Sequence, residues 1–195
     1  MRILRAADYR VMPWKNGGGT TTEIAVSPEG AGLDTFDWRV SMAQVEADGA
    51  FSQFTGVDRT LAVLQGNGIV LNVSGHIPVG LTTASEPLPF PADLATNANL
   101  TGGPIIDLNV MTRRAVMSHS VVRLTLSGTV EFVADAETVL VFCHKGRVWA
   151  GGKEGAFLDP FDALCAHAGE SATRLAVDGS ATVFVIRIGA ANRNG

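Results

Sequence analysis

The sequence predicts an all-β protein, a sandwich or barrel of short strands, on three observations. Alternating or β-branched apolar runs recur along nearly the whole chain, and clusters of Gly, Pro, Asn and Asp separate them. Twenty-two glycines and eight prolines in 195 residues suit many tight turns better than long helices. No long amphipathic helix interrupts the pattern. In order, strands are expected at 20–26, 38–45, 60–65, 68–73 and 105–112, then at 116–126, 139–143, 147–150, 173–177 and 181–188. A single helical turn is expected near 92–97, within the proline-rich irregular stretch that follows the first group of strands.

Two segments share a pattern. LAVLQGNGIVL (61–71) and VLVFCHKGRVW (139–149) each run apolar, turn through a polar residue and glycine, and run apolar again. Each reads as a hairpin, and together they divide the chain into two similar β halves, 1–114 and 115–195.

Apolar residues make up 46% of the chain and charged residues 17%, which supplies a core and argues against disorder. The net charge of −4 offers no basic footprint for nucleic acid. No window approaches the roughly 18 apolar residues that span a bilayer, and the opening MRILRAADYR has no apolar signal core. A soluble, cytoplasmic protein with no nucleic-acid or membrane partner is expected. Cys143 and Cys165, each in an apolar run, read as reduced core residues, with a disulfide between them as the alternative.

Chemistry has few places to sit. The segment PWKNGGGTTTEI (13–24) sets Lys15 and Asn16 beside three glycines, as where a backbone passes close to a ligand or to another strand; a plain flexible loop is the alternative. Side-chain alternation puts Arg39 and Ser41 on one face of their strand, opposite Trp38, Val40 and Met42. It likewise puts Asp107, Asn109, Met111 and Arg113 opposite Ile106, Leu108 and Val110. If those polar faces turn inward, Arg39 and Arg113 line a cavity whose guanidinium forks suit a carboxylate or phosphate; if outward, they meet solvent. Asp58 and Arg59 are adjacent, so on a strand they point apart and each needs its own partner.

The four histidines, His76, His119, His144 and His167, are isolated from one another, and H-x-H, H-E-x-x-H and C-x-x-C are all absent. No catalytic metal and no cofactor is expected, and His119 and His144 read as surface or capping residues. No nucleophile motif is present, and Lys15 precedes the glycines, the wrong order for a phosphate loop.

Three blocks, PWKNGGGTTTEI (13–24), FDWRVSMAQVEADGAFSQFTGVDRTLAVLQGNG (36–68) and GGPIIDLNVMTRR (102–114), resemble the HutD/Ves family. Beyond residue 114 the likeness is diffuse. The resemblance implies a cupin-type β-barrel built as two cupin-like halves (a bicupin), and it favours the inward reading of Arg39 and Arg113. It also implies an association with histidine utilisation, with one branch tied to stress responses, and a small anionic ligand such as formylglutamate. By position, the ligand-binding candidates it implies are Lys15, Asn16, Arg39, Ser41, Arg59, Asn109 and Arg113. Ala50 and Thr55 stand where the family often has proline, and Ala92 where it has glycine.

Two functions follow as expectations. The favoured one is a metal-free binding protein with a regulatory or buffering role in histidine utilisation. The other is a metal-independent cupin-type isomerase or hydrolase using Glu23 or Asp107 as acid or base. A homodimer formed through edge strands is also expected.

Overall fold

The computed structural model describes residues 1–14, 17–152 and 154–191. Among them the strands are β1 (Arg2–Leu4), β2 (Arg10–Pro13), β3 (Gly19–Ser27), β4 (Trp38–Val45), β5 (Gly49–Ala50) and β6 (Val57–Gln65). They continue with β7 (Ile69–Val73), β8 (Val79–Leu81), β9 (Leu88–Pro91), β10 (Thr96–Leu100), β11 (Ile105–Arg113) and β12 (Met117–Phe132). The last five are β13 (Thr138–Lys145), β14 (Val148–Ala150), β15 (Ala156–Leu158), β16 (Ala163–His167) and β17 (Thr173–Ala190). The one helical element among the described residues is a 3-10 turn at Ala6–Asp8, and no helix is long and apolar enough to cross a membrane.

The chain forms two compact units. The first spans Arg10–Ser118 and takes back Ala191. Its six-stranded sheet runs β2-β3-β4-β11-β6-β9, and its four-stranded sheet runs β5-β10-β7-β8. Ala43, Val45, Leu61 and Val63 from the larger sheet meet Ile69, Leu71, Val73 and Ala98 from the smaller in one apolar cluster. The two sheets therefore enclose a common interior. A second cluster, Phe36, Val57, Ala92 and Met111, fills another part of that unit.

The second unit joins Met1–Tyr9 to His119–Ala190. Its sheet is ordered β1-β16-β13-β17-β14-β15, with β12 also on β17. One face of these strands, including Val141, Val148, Leu158, Leu164 and Val183, gathers into a single cluster. A single sheet whose residues meet on one side must be curled. The first nine residues fall here, outside the expected half 1–114, because β1 pairs with β16. Asp162 secures them by accepting from Arg5 Nη1 at 2.7 Å and from the Ala6 amide at 2.8 Å.

Both expected hairpins prove to be something else. β6 pairs with β11 and β9, whereas β7 pairs with β10 and β8, so the turn at 66–68 carries the chain from one sheet to the other. Gly66 makes the corner at φ +94°, where a Cβ would stand 2.6 Å from the Pro104 carbonyl. In the second unit β13 and β14 both pair with β17, at Thr182–Ile188 and Leu175–Ala176 respectively, and not with each other. The runs 173–177 and 181–188 are thus one strand, because Gly179 at φ +82° carries it past the expected break. The helical turn expected at 92–97 is one hydrogen-bonded turn, Leu94 amide to Pro91 carbonyl at 3.4 Å. From Thr96 onward the chain is strand, because Thr96 and Ala98 alternate inward.

The glycine run serves a close approach to another strand. At Gly19 an added Cβ would lie 2.0 Å from the Gln44 carbonyl oxygen and 3.1 Å from the Trp14 ring. Trp14 accordingly folds over this position, its amide bonded to the Gly19 carbonyl at 2.9 Å and its indole Nε1 to Thr21 Oγ1 at 2.8 Å. Gly17, at φ +71°, has nothing within 4 Å of its would-be Cβ. Gly19→Ala is therefore expected to cost at least about 2 kcal/mol by clash with backbone. Gly17→Ala should cost about 1 kcal/mol through its φ alone. Urea unfolding of the two variants checks the order; equal costs would refute the close-approach reading.

Candidate functional site

Strand register alone assembles a polar layer on the inner face of the six-stranded sheet. Arg39 faces Met111 across β4 and β11, Met111 faces Arg59 across β11 and β6, and Arg59 faces Phe90 on β9. One step along, Glu23, Ser41, Asn109 and Leu61 stand in register. One step further come Thr21, Ala43, Asp107 and Val63. Register partners share a face, and Ala43, Leu61 and Val63 belong to the apolar cluster between the sheets. Arg39, Ser41, Arg59, Asp107 and Asn109 therefore face the interior, and each is buried.

A bulge completes the layer. Between Glu23 and Ala25 the β3–β4 register shifts, so Glu23 faces Ser41 while Val26 faces Arg39. Glu23 then reaches Arg39, whose Nε donates to Oε2 at 2.7 Å. Arg59 is held differently. Its Nε donates to Asn109 Oδ1 at 2.7 Å and Nη2 donates to the same oxygen. The guanidinium lies 4.4 Å from the centre of the Phe51 ring and 5.7 Å from that of Phe90. Asn109 Nδ2 donates onward to Asp107 Oδ1. Asp107 Oδ2, fully buried, has no hydrogen-bond partner among the described residues.

These surroundings set two acidities. Burial lowers Arg59 to about 10 and the nearby Arg39 charge adds to that, while Asp107 opposes. Burial raises Asp107 to about 6, against the opposing pull of Arg59 and the Asn109 hydrogen bond. Arg39 meets a full carboxylate, whereas Arg59 meets a neutral amide and, one bond beyond, a carboxyl reluctant to ionise.

The structure thus brings together Arg39, Ser41, Arg59 and Asn109 from the sequence candidates, and joins Glu23 and Asp107 to them. Arg113 is held apart, half-buried at the end of β11. It donates to the carbonyls of Phe36 at 3.2 Å and Asp34 at 2.9 Å, with the Phe36 ring 5.7 Å away. Lys15 and Asn16 lie outside the described residues. Asp58 and Arg59 do point apart, and Asp58 accepts from Arg114 Nη2 at 2.7 Å. Phe51 and Phe90 escaped the sequence reading because no local pattern marks an aromatic as the lid of a distant arginine.

Other centres are quiet. Cys143 and Cys165 are free and buried, and burial pushes the Cys143 thiol up to about 11. His144 is buried beside the Phe184 ring, not on the surface, because β13 runs on to Lys145. No group of three or more His, Cys, Asp or Glu among the described residues could hold a metal ion. An open pocket of about 600 Å³ lies in the second unit, lined in part by Ile3, Ala150, Gly155, Leu164 and Thr173. None of the polar layer borders it.

This architecture is that of the cupins. A conserved barrel-domain cupin from Leptotrichia buccalis superposes with a TM-score of 0.62 at 8% identity, covering 91% of this chain and 92% of that one. Within that class the chain belongs to the HutD family, whose model matches residues 6–185. It is 36% identical to a Pseudomonas putida protein named for the region 3′ of hutC, over 92% of this chain and 93% of that one. HutD from Pseudomonas fluorescens, in a formate condition, matches at TM-score 0.81 and 34% identity over 97% of this chain and 98% of that one. A conserved protein of unknown function from Pseudomonas aeruginosa matches at TM-score 0.87 and 34% identity, over 96% and 98%. The family is associated with the histidine-utilisation locus.

The raised pKa of Asp107 acts on stability with a definite sign. The folded protein keeps this proton up to about pH 6, whereas an unfolded chain releases it near the ordinary 3.8. The group therefore favours the fold at low pH, and that contribution is lost as pH rises from 4 to 6. Asp107→Asn removes this titration. Relative to wild type, its stability should climb by up to about 3 kcal/mol between pH 4 and pH 7. Urea titrations of both proteins across that range check it; parallel curves would overturn the burial argument.

Proposed function

We propose that this protein is a metal-free binding protein for a small carboxylate, with a regulatory or buffering role in histidine utilisation; formylglutamate is the leading ligand class. One observation carries the reading. Arg59 is a buried guanidinium that forms no ion pair with any carboxylate among the described residues, beside an Arg39 that is already matched. Removing a charge from water without an opposite partner is costly, and an incoming carboxylate supplies that partner in bidentate geometry. The Phe51 and Phe90 rings lie against the guanidinium that the acid would meet. Association of relatives with the histidine-utilisation locus narrows the acids worth trying.

Thermal-shift and calorimetric titration with formylglutamate, glutamate, urocanate and histidine test the proposal. Ligand at about one hundred times its dissociation constant should add roughly 2.7 kcal/mol of stability. Arg59→Lys, which keeps the charge and loses the fork, should weaken binding about tenfold or more. Folded protein indifferent to every acid in the set would refute the proposal.

A second reading is favoured by Asp107, whose carboxyl at about 6 is poised for acid–base work near the Arg59 guanidinium. On this reading the protein is a metal-independent isomerase or hydrolase of a small acid. Turnover that vanishes in Asp107→Asn while ligand binding survives would decide for it; binding with no product in any condition decides against.

A further inference from the structure

Asp107 is fully buried, and its Oδ2 has no hydrogen-bond partner among the described residues. A carboxyl kept for stability alone would have both oxygens satisfied, since a well-packed apolar side chain of similar volume serves a core as well. Its Oδ1 accepts from Asn109 Nδ2. That bond is what the carboxyl contributes.

Asn109 stands two residues along β11 on the same face, with Arg59 beside it on β6. An amide side chain has one accepting end and one donating end. Arg59, a donor only, takes the accepting end through Nε and Nη2. Asp107 takes the donating end. Both ends of Asn109 are thus fixed, and the guanidinium plane with them. The two bonds occupy the side of the guanidinium that carries Nε. Its other end, formed by Nη1 and Nη2, meets no carboxylate among the described residues. Arg39 shows the contrast, because Glu23 already answers it with a full charge. An amide at position 109 holds Arg59 without neutralising it.

We propose that Asp107 is a positioning residue: by anchoring Asn109 it holds Arg59 with the Nη1–Nη2 end presented to an incoming carboxylate and its charge uncancelled. This rests on the carboxylate-binding reading above. A planar group with two oxygens fits that end bidentately, which a single hydroxyl or amide oxygen cannot do.

Calorimetric titration of the full chain with formylglutamate and glutamate tests it, with far-ultraviolet circular dichroism as the check on folding. Asp107→Leu leaves the donating end of Asn109 bare and should weaken binding about tenfold. Asp107→Asn keeps an accepting oxygen for Asn109 and should recover most of that loss. Asn109→Asp sets an internal carboxylate on Arg59 and should weaken binding about tenfold or more in a folded protein, because the guest then meets a like charge. NMR of the labelled arginine side chains reads the position without any guest. The Arg59 Nε–H should be protected from solvent exchange in wild type and in Asp107→Asn, and should lose that protection in Asp107→Leu. Protection unchanged in Asp107→Leu overturns the positioning role, and so does binding lost equally in the Leu and Asn variants. Binding indifferent to Asn109→Asp overturns the uncancelled charge. Protection that behaves as expected in a protein that binds neither acid overturns the carboxylate reading, and the role in binding with it, while the anchoring of Arg59 stands.

Discussion

Two guanidinium groups held inside a sheet-lined interior are the constraint around which the first unit is organised. Neither can be left bare, because an unpaired buried charge costs several kcal/mol, on the order of a domain's whole margin of stability. Glu23 answers Arg39 directly, and Asn109 answers Arg59 with a carbonyl oxygen. Those partners exist only in one register. A slip of a single residue in β4, β6 or β11 would turn every arginine outward and every packing residue of its strand away from the cluster. The polar layer is thus also a device that rejects wrong pairings, at a cost the flanking apolar clusters offset.

The bulge in β3 shows how finely that register is set. Without it, Glu23 and Ala25 would share the inner face; with it, Glu23 and Val26 do. The carboxylate is brought to Arg39 while a valine packs beside the second apolar cluster. The same strand begins at Gly19, locked by the Gln44 carbonyl and the Trp14 ring. The run of glycines is therefore tied to the site through the strand it starts, whatever else Lys15 and Asn16 do.

Much of this was legible in the residues. Alternation in 38–45 and 105–112 gave the strand, its bounds within a residue, and the polar face that carries Arg39, Ser41, Asp107 and Asn109. The family resemblance tipped that face inward, since period-two patterning says which residues sit together but not which side is wet. What stayed hidden depended on strand order. Only the adjacency of β6 to β11 sets Arg59 opposite Met111 and so near Arg39, and strand neighbours far apart in sequence leave no local trace. Arg113 lies on the same face of β11, and alternation alone does not separate it from Asn109 and Asp107. Its place at the strand end hands it to the Phe36 and Asp34 carbonyls instead. The hairpins failed for a related reason: an apolar run, a glycine turn and another apolar run look alike whether the second strand pairs with the first or crosses to another sheet.

Charge accounting in the layer ties the two functional readings together. At neutral pH, Arg39 and Arg59 face Glu23 and Asp107, and the sum is near zero. Asp107, at about 6, is the group in that set whose charge yields most readily. On the proposed reading an arriving carboxylate competes with it for Arg59. Anion entry then raises the proton affinity of Asp107 further, and each event favours the other by linkage. On that reading a site that holds an acid also holds a proton near it, on a carboxyl that reaches the arginine through Asn109, two hydrogen bonds away. The distance from binder to catalyst is then set by whether the guest offers a bond for that proton to act on, and not by any further residue.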